Sequence, residues 1–306
     1  MKTAEESAWH LVAPPNVTTR VVDVGRARIF ALLAGEGSTP IVFISGLGDA
    51  TVTWVSVLPE LARTCRVIAY DRPGMGASPA IDGTRSLEVM ALELAGLIES
   101  LQEGPAVLVG HSLGGLIAAE AYRCRRDLVA GLVLVDSADP AILEKRGLVA
   151  IQRFSIWLPR ALAAIGLWPR IARSVARREA SVAVHDPQAQ EAVAGALLEN
   201  LLSAAARRTS AAELRGLVMG ARSTFNAVSP SPIDVPIVVM SATSGNLGKK
   251  MRAAWTEHQR LVATASPTGR HLEVSGGHYL HRERPSAVIE EVLSVLRSVR
   301  ERQLDN

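Results

Sequence analysis

The chain has 306 residues, 48% of them hydrophobic, which is enough for one large α/β domain or two smaller ones. Its formal net charge is only +3, and it has no Lys/Arg run interleaved with aromatic residues, which argues against nucleic-acid binding. The amino terminus, from Met1 to Ser7, lacks the apolar segment of a signal peptide. Cys65 falls in a predicted strand and Cys124 in a predicted helix, where we expect buried free thiols, so the expected location is the cytoplasm.

The first half of the chain alternates between strand and helix patterns. Residues 1–16 are expected to form a polar, proline-containing arm. An antiparallel hairpin split by Gly25 should follow at the edge of the sheet. Further strands are predicted over 40–45, 65–70, 105–110 and 131–136, and helices over 53–63, 86–101 and 113–126. Pro59 is expected to kink or restart the first of these helices. Between them, the turn-rich stretch from Asp71 to Gly76 is interpreted as a structural loop. This alternation predicts a doubly wound, mostly parallel sheet.

The periodicity changes after Pro140. Residues 140–228 contain no strand-like run and are rich in Ala, Leu and Arg, so they are predicted to be helical. Strand and helix patterns then resume, with strands over 235–240 and 270–274 and helices over 249–263 and 285–302. The predicted organisation is an α/β core over 1–139 and 229–306, interrupted by a helical insertion over 140–228.

One motif lies where a buried strand meets a helix. Gly110-His111-Ser112-Leu113-Gly114 fits the pattern G-x-S-x-G, in which the serine occupies a tight turn, often at positive φ, above the sheet. A Cβ at Gly110 or Gly114 would collide with the neighbouring strand or helix. The alternative interpretation of Ser112 is a helix N-cap, which is common for serine in this position.

This motif resembles the nucleophile elbow of the α/β-hydrolase superfamily, and the resemblance extends from about Val21 to Arg300. It implies an eight-stranded sheet with the insertion as a helical cap, or lid. It also implies that Ser112 is the nucleophile of acyl transfer, a reaction that further needs a base, a group orienting the base, and donors for the oxyanion.

The candidate base is His278, in Ser275-Gly276-Gly277-His278, directly after the last predicted strand. The order of serine before histidine matches the superfamily. His281 is the competing candidate, and either histidine could instead be an ordinary loop residue. His111 is expected to point away from the site if Ser112 points into it.

The acid departs from the commonest pattern of the superfamily. The loop after the penultimate strand, Ser241 to Lys249, contains no carboxylate. Asp136, at the end of the strand after the nucleophile helix, occupies the position used by the haloalkane-dehalogenase-like branch. Asp139 and the absence of any acid remain alternatives, as does a structural role for Asp136 in capping the next turn.

The oxyanion hole is predicted to use the backbone N–H groups of Leu113 and of Leu47, because Ser45-Gly46-Leu47-Gly48 resembles the His-Gly loop of the superfamily. Substrate contacts are predicted for Gly46 and for four aromatic residues: Trp54, Phe154, Trp157 and Trp168. Instead of contacting substrate, Trp54 could occupy a position in the core or in the floor of the pocket. The aromatic residues of the insertion could equally pack it onto the sheet.

These features lead to the hypothesis of a serine hydrolase that cleaves a carboxylic ester of an apolar, small-to-medium substrate. Thioester, lactone, amide or C–C bond hydrolysis and acyl transfer use the same residues and remain open. An alternative of another class is a ligand-binding or signalling protein of the same fold that does not turn over substrate. No cofactor and no metal are expected. A small-molecule substrate is the expected partner, without nucleic acid or stable membrane insertion, and monomer and homodimer are both open.

Overall fold

The computed structural model describes residues 4–12, 16–138, 158–159, 161–228, 233–245 and 248–304. Its centre is an eight-stranded sheet in the order β1-β2-β4-β3-β5-β6-β7-β8. The strands are β1 Thr18–Val24, β2 Ala27–Ala34, β3 Ile41–Ile44, β4 Val67–Tyr70, β5 Ala106–His111, β6 Val129–Val135, β7 Ile237–Ala242 and β8 Arg270–Val274. The pairs β1–β2 and β2–β4 are antiparallel and the other pairs are parallel. The prediction of a mostly parallel, doubly wound sheet with an edge hairpin is confirmed.

Helices cover both faces of the sheet. They are α1 Ala4–Val12, α2 Leu58–Leu61, α3 Leu87–Leu101, α4 Leu113–Cys124, α5 Trp168–Ala183, α6 Pro187–Leu202, α7 Ala204–Val228, α8 Lys249–Thr264, α9 Leu280–Glu283 and α10 Pro285–Leu304. Side chains alternate along each strand, so Val42 faces a core shared with α3, α4 and α8, while Phe43 faces a core shared with α2 and α10. The parallel strands bury both faces, which explains their continuous apolar sequences.

One prediction about the amino-terminal region is wrong, and another is confirmed only in part. Residues 1–16 do not form a polar arm, because α1 lies within them and buries Trp9, whose indole N–H donates to Thr51 Oγ1 over 3.1 Å. The helix predicted over 53–63 is not continuous: it is divided into a 3₁₀ turn, Thr51–Trp54, and the short helix α2, which agrees with the predicted restart at Pro59. Pro59 occupies the first turn of α2, where the missing N–H leaves no helical hydrogen bond unmade.

The insertion between β6 and β7 is helical in its described part, as predicted. Helices α5, α6 and α7 follow one another there, and α6 packs against both α5 and α1. The Asn200 side chain of α6 donates to Gly48 O over 2.8 Å and accepts from Gly76 N–H over 3.1 Å. This helix is therefore tied to two loops at the carboxyl edge of the sheet. Within the described residues, no helix is both long enough and apolar enough to cross a membrane.

Both cysteines are free, with Cys65 buried and Cys124 half-buried. The expectation of buried, unpaired thiols is confirmed for Cys65, whereas Cys124 is unpaired but not buried.

Candidate active site

Ser112 occupies the turn between β5 and α4. Its φ of 52° lies in the left-handed region, which a residue with a side chain rarely adopts. Ser112 Oγ makes no capping hydrogen bond to α4. Ser112 therefore occupies the N-cap position of α4 without capping the helix through its side chain, and the expected positive φ is confirmed.

The glycines of the turn are required by close backbone approach. A Cβ on Gly110 would lie 2.3 Å from Gly114 O, and one on Gly114 would lie 2.1 Å from Ile44 O at the end of β3. Such distances are far below van der Waals contact, so a methyl group at either position would force the helix off the sheet. The predicted collisions are confirmed.

The structure brings Ser112, His278 and Asp136 into one hydrogen-bonded series. His278 Nε2 lies 3.0 Å from Ser112 Oγ, and His278 Nδ1 lies 2.6 Å from Asp136 Oδ2. A carboxylate only accepts hydrogen bonds, so Nδ1 carries the proton and Nε2 is left free to accept from the serine hydroxyl. This tautomer is the one in which an imidazole can act as a base toward Ser112.

Asp136 is fully buried and is the first residue after β6. Its backbone N–H donates to Met240 O of β7 over 2.7 Å. Arg252 Nη1 of α8 donates to both carboxylate oxygens, over 2.8 and 3.0 Å, and Ala242 N–H donates to Oδ1 over 3.1 Å. The guanidinium balances the charge of a carboxylate that has no contact with water. These donors also leave Oδ2 directed at His278.

The loop after β3 carries the predicted oxyanion donor Leu47. Its neighbour Gly46 lies beside the His111 ring, where a Cβ would be 2.9 Å from Nδ1. Arg72 donates to the carbonyl oxygens of Ser45 and Gly46, over 2.6 and 2.7 Å, and so fixes the course of this loop. The second predicted donor, Leu113, is the first residue of α4, where the N–H has no acceptor within the helix.

The other two histidines near the site have different partners. His281 Nε2 lies 3.0 Å from Thr53 Oγ1, and burial lowers the pKa of its imidazole well below the ordinary value. His111 does not point away as expected, because its Nε2–H donates to His278 O over 2.9 Å. Burial also lowers the pKa of His111, so a neutral ring supports the backbone of His278.

The predicted aromatic contacts have mixed outcomes. Trp54 is fully buried, with its ring centroid 5.0 Å from Phe43 and 4.4 Å from His281, so it occupies a core position and has no open face for a ligand. Trp168 is half-buried and donates from Nε1 to Leu201 O over 3.1 Å, which joins α5 to the end of α6. Phe154, Trp157 and Asp139 lie outside the described residues.

Three residues of the site were not predicted from the sequence: Arg252, Arg72 and Glu213. Arg252 stands four residues after Gly248, on an ordinary amphipathic helix, so no local pattern marks it. Arg72 belongs to the turn-rich stretch from Asp71 to Gly76, which is interpreted from the sequence as a structural loop. That stretch is the one feature of the sequence that points to Arg72. Its partner Glu213 lies 141 positions away, a separation that no motif spans.

Comparisons with known proteins identify the family and the fold of the chain. A family model described as "Alpha/beta hydrolase family" matches residues 41–291. The "Putative carbamate hydrolase RutD" of Stutzerimonas stutzeri is 37% identical over 98 residues, which are 32% of this chain and 37% of that protein. "Esterase Rv0045c" of Mycobacterium tuberculosis is 35% identical over 131 residues, 42% of this chain and 43% of that protein. The matched segments thus span less than half the length of these relatives.

Among solved structures, a "putative epoxide hydrolase" from Pseudomonas aeruginosa superposes with a TM-score of 0.73 over 94% of this chain and 98% of that chain. The two sequences are 20% identical, so the likeness concerns the fold.

Proposed function

The chain belongs to the alpha/beta hydrolase family, and from this premise we propose that it is a serine hydrolase that cleaves a carboxylic ester or a related acyl bond through an acyl-enzyme. The observation that carries the proposal is the continuous series of hydrogen bonds from Ser112 Oγ through His278 to Asp136. A serine hydroxyl is a weak nucleophile unless an adjacent base removes its proton, and this series supplies such a base.

In the proposed mechanism, Ser112 Oγ attacks the carbonyl carbon while His278 Nε2 accepts the hydroxyl proton. The oxyanion is stabilised by the N–H groups of Leu47 and Leu113, and His278 then gives the proton to the leaving group. Water, deprotonated by the same imidazole, releases the acyl group and restores Ser112. Asp136 keeps the imidazole in the required tautomer and stabilises its charge in both steps.

The nucleophile argues for acyl transfer over opening of an epoxide. The structural neighbour from Pseudomonas aeruginosa carries the name of an epoxide hydrolase, but at 20% identity the likeness does not extend to its chemistry. Enzymes of that kind form an alkyl ester on an aspartate, whereas position 112 of this chain is a serine. A serine hydroxyl attacking a carbonyl gives an acyl-enzyme that water can hydrolyse.

We further propose that residues 140–228 form a cap over the site and that the acyl group is apolar and of small to medium size. Support comes from α6 and α7, whose residues Asn200 and Glu213 contact the loops at the carboxyl edge of the sheet. Phe154, Trp157 and Trp168 are the aromatic side chains proposed to line the acyl pocket. The names of the relatives suggest carbamates beside esters as substrates.

The test is covalent labelling with a fluorophosphonate, read by the mass of the intact protein. A single adduct is expected on the wild type and on Ser181→Ala, a control that removes an exposed serine of α5. Ser112→Ala should remain unlabelled. Ester, thioester, lactone, amide and carbamate panels then identify the bond. No adduct on the folded wild type, together with no turnover in any panel, would reject the proposed function and favour a ligand-binding role.

A further inference from the structure

A buried ion pair joins α7 to the loop that carries the proposed oxyanion donor. Arg72 donates from Nε to Glu213 Oε1 over 2.7 Å and from Nη2 to Glu213 Oε2 over 3.1 Å. The same guanidinium donates to Ser45 O and Gly46 O. The side chains of Arg72 and Glu213 are 2% and 0% exposed, so water does not replace either partner. All of these contacts are charge-assisted, which makes them stronger than ordinary hydrogen bonds.

The contact with Gly46 O determines the direction of the Leu47 amide. In a planar trans peptide the C=O of one residue and the N–H of the next point in opposite directions. Because Gly46 O is turned toward Arg72, Leu47 N–H is turned away from it. Within the described part of the chain, no group accepts a hydrogen bond from this amide. It is therefore free to donate to a ligand.

Two helices of the insertion pack on the same loop. Asn200 of α6 donates to Gly48 O, and a Cβ on Gly48 would lie 3.2 Å from Ser210 Oγ of α7. A Cβ on Gly74, in the loop that carries Arg72, would lie 2.1 Å from Thr209 Oγ1. The backbone of both loops thus accommodates α7 at contact distance, and Glu213 lies one turn beyond Thr209 on that helix.

We propose that Glu213 is a positioning residue: through Arg72 it holds the peptide between Gly46 and Leu47 in the orientation that stabilises an oxyanion. The inference rests on the proposed function and adds to it a dependence of catalysis on the docking of α7. Without the Glu213 carboxylate, the buried Arg72 would lose its ion-pair partner and keep only the more distant Asp49 as a counter-charge, so its guanidinium would shift and weaken its hold on the two carbonyl groups. The amide of Leu47 would then lose its fixed direction.

The experiment compares Glu213→Gln with Glu93→Gln, a matched control. Glu93 also pairs with a buried arginine, Arg85, over 2.8 Å, but neither side chain contacts the oxyanion loop. Each variant is assayed with an ester and with the thionoester of the same acid, in which sulfur replaces the carbonyl oxygen. Sulfur accepts hydrogen bonds weakly, so the ratio of the two kcat/KM values reports on the oxyanion donors and not on general stability.

Loss of a whole donor lowers kcat by 10²- to 10³-fold in typical cases, so a misdirected Leu47 amide should lower kcat for the ester by about 10- to 100-fold. The thionoester should lose less activity, so the ratio of ester to thionoester falls, while KM changes little. Glu213→Asp, which keeps the charge, should recover part of the ratio. Glu93→Gln should leave the ratio at the wild-type value. A folded Glu213→Gln protein with an unchanged ratio would overturn the proposal.

A second measurement keeps this result separate from the proposed function. Asp49 N–H donates to Gly46 O over 3.2 Å within the same loop, so its hydrogen exchange reports whether the loop is held. Exchange in residues 45–50 should accelerate in Glu213→Gln and stay unchanged in Glu93→Gln. If the wild type has no labelled serine and no turnover, the proposed function fails, whereas the exchange still decides the positioning role. Unchanged exchange in Glu213→Gln would refute it.

Discussion

Replacing Asp136 by asparagine tests the proposed acid most directly. The side chains have nearly the same shape, but the amide removes the negative charge that faces His278 Nδ1 over 2.6 Å. The imidazole is then free to adopt the wrong tautomer, and its cation loses a counter-charge. In serine hydrolases generally, such a substitution lowers kcat by about 10⁴-fold, and we expect a loss of that order.

The structure adds a cost in stability that has to be separated from this loss. Arg252 donates to both oxygens of Asp136, and its side chain is only 10% exposed. Asp136→Asn leaves this guanidinium buried without a counter-charge. Removal of one partner of a buried ion pair costs about 3–5 kcal/mol, so the free energy of unfolding should fall by about 3 kcal/mol.

The double variant Asp136→Asn/Arg252→Met separates the two effects. Methionine removes the orphaned charge, so most of the unfolding free energy should return, because an apolar replacement of a whole buried pair is often nearly neutral. Activity should stay about 10⁴-fold below the wild type, because the acid is still missing. Urea unfolding gives the stability, and ester turnover gives kcat. A well-folded Asp136→Asn protein with more than a tenth of the wild-type kcat would refute the assignment of Asp136.

Two further predictions concern packing and pH. Gly114→Ala should abolish or severely impair folding, because its Cβ would lie 2.1 Å from Ile44 O, whereas Gly195→Ala, in an exposed position of α6 with nothing near, should raise stability by about 1 kcal/mol. Thermal unfolding of the two variants checks this, and equal melting temperatures would contradict it. Burial raises the pKa of Glu5 and, together with the charge of Glu5, the pKa of Asp71, so the folded protein binds protons more tightly than the unfolded chain. Stability should therefore fall as the pH rises from about 4 toward these raised values. The melting temperature should be lower at pH 8 than at pH 5, and this difference should be smaller in Glu5→Gln. An equal difference in the wild type and the variant would count against the electrostatic coupling of Glu5 to Asp71.

The elements that a local pattern specifies were predictable from the sequence. The turn at Ser112 needs glycines at fixed positions for contacts with adjacent elements, so the motif predicts its own geometry. The strand Arg270–Val274 has the predicted bounds, because a turn precedes it and two glycines follow. Helix α1 was not predictable in this way, because its nine residues are stabilised by partners far along the chain. Glu5 accepts a hydrogen bond from Val52 N–H over 2.9 Å, 47 positions away.

The same distinction runs through the candidate site. Ser112, His278 and Asp136 each follow a strand of one sheet, and parallel strands bring their carboxyl ends to a common edge, so topology alone predicts that they meet. The side chains that fix the orientation of the site lie on helices and not at the strand ends. Arg252 of α8 donates to the carboxylate of Asp136, and Glu213 of α7 pairs with Arg72, which donates to Gly46 O.

Both arginines are buried cations, and a buried cation is tolerated only where a carboxylate lies within reach. Each pair therefore ties a separate part of the chain to one element of the proposed chemistry. Arg252 links α8 to the acid, and Glu213 links the insertion to the oxyanion donor. Undocking α7 would expose Arg72 and release the Gly46–Leu47 peptide at the same time. We therefore expect the proposed stabilisation of the oxyanion to depend on α7 staying docked on the loop that carries Leu47.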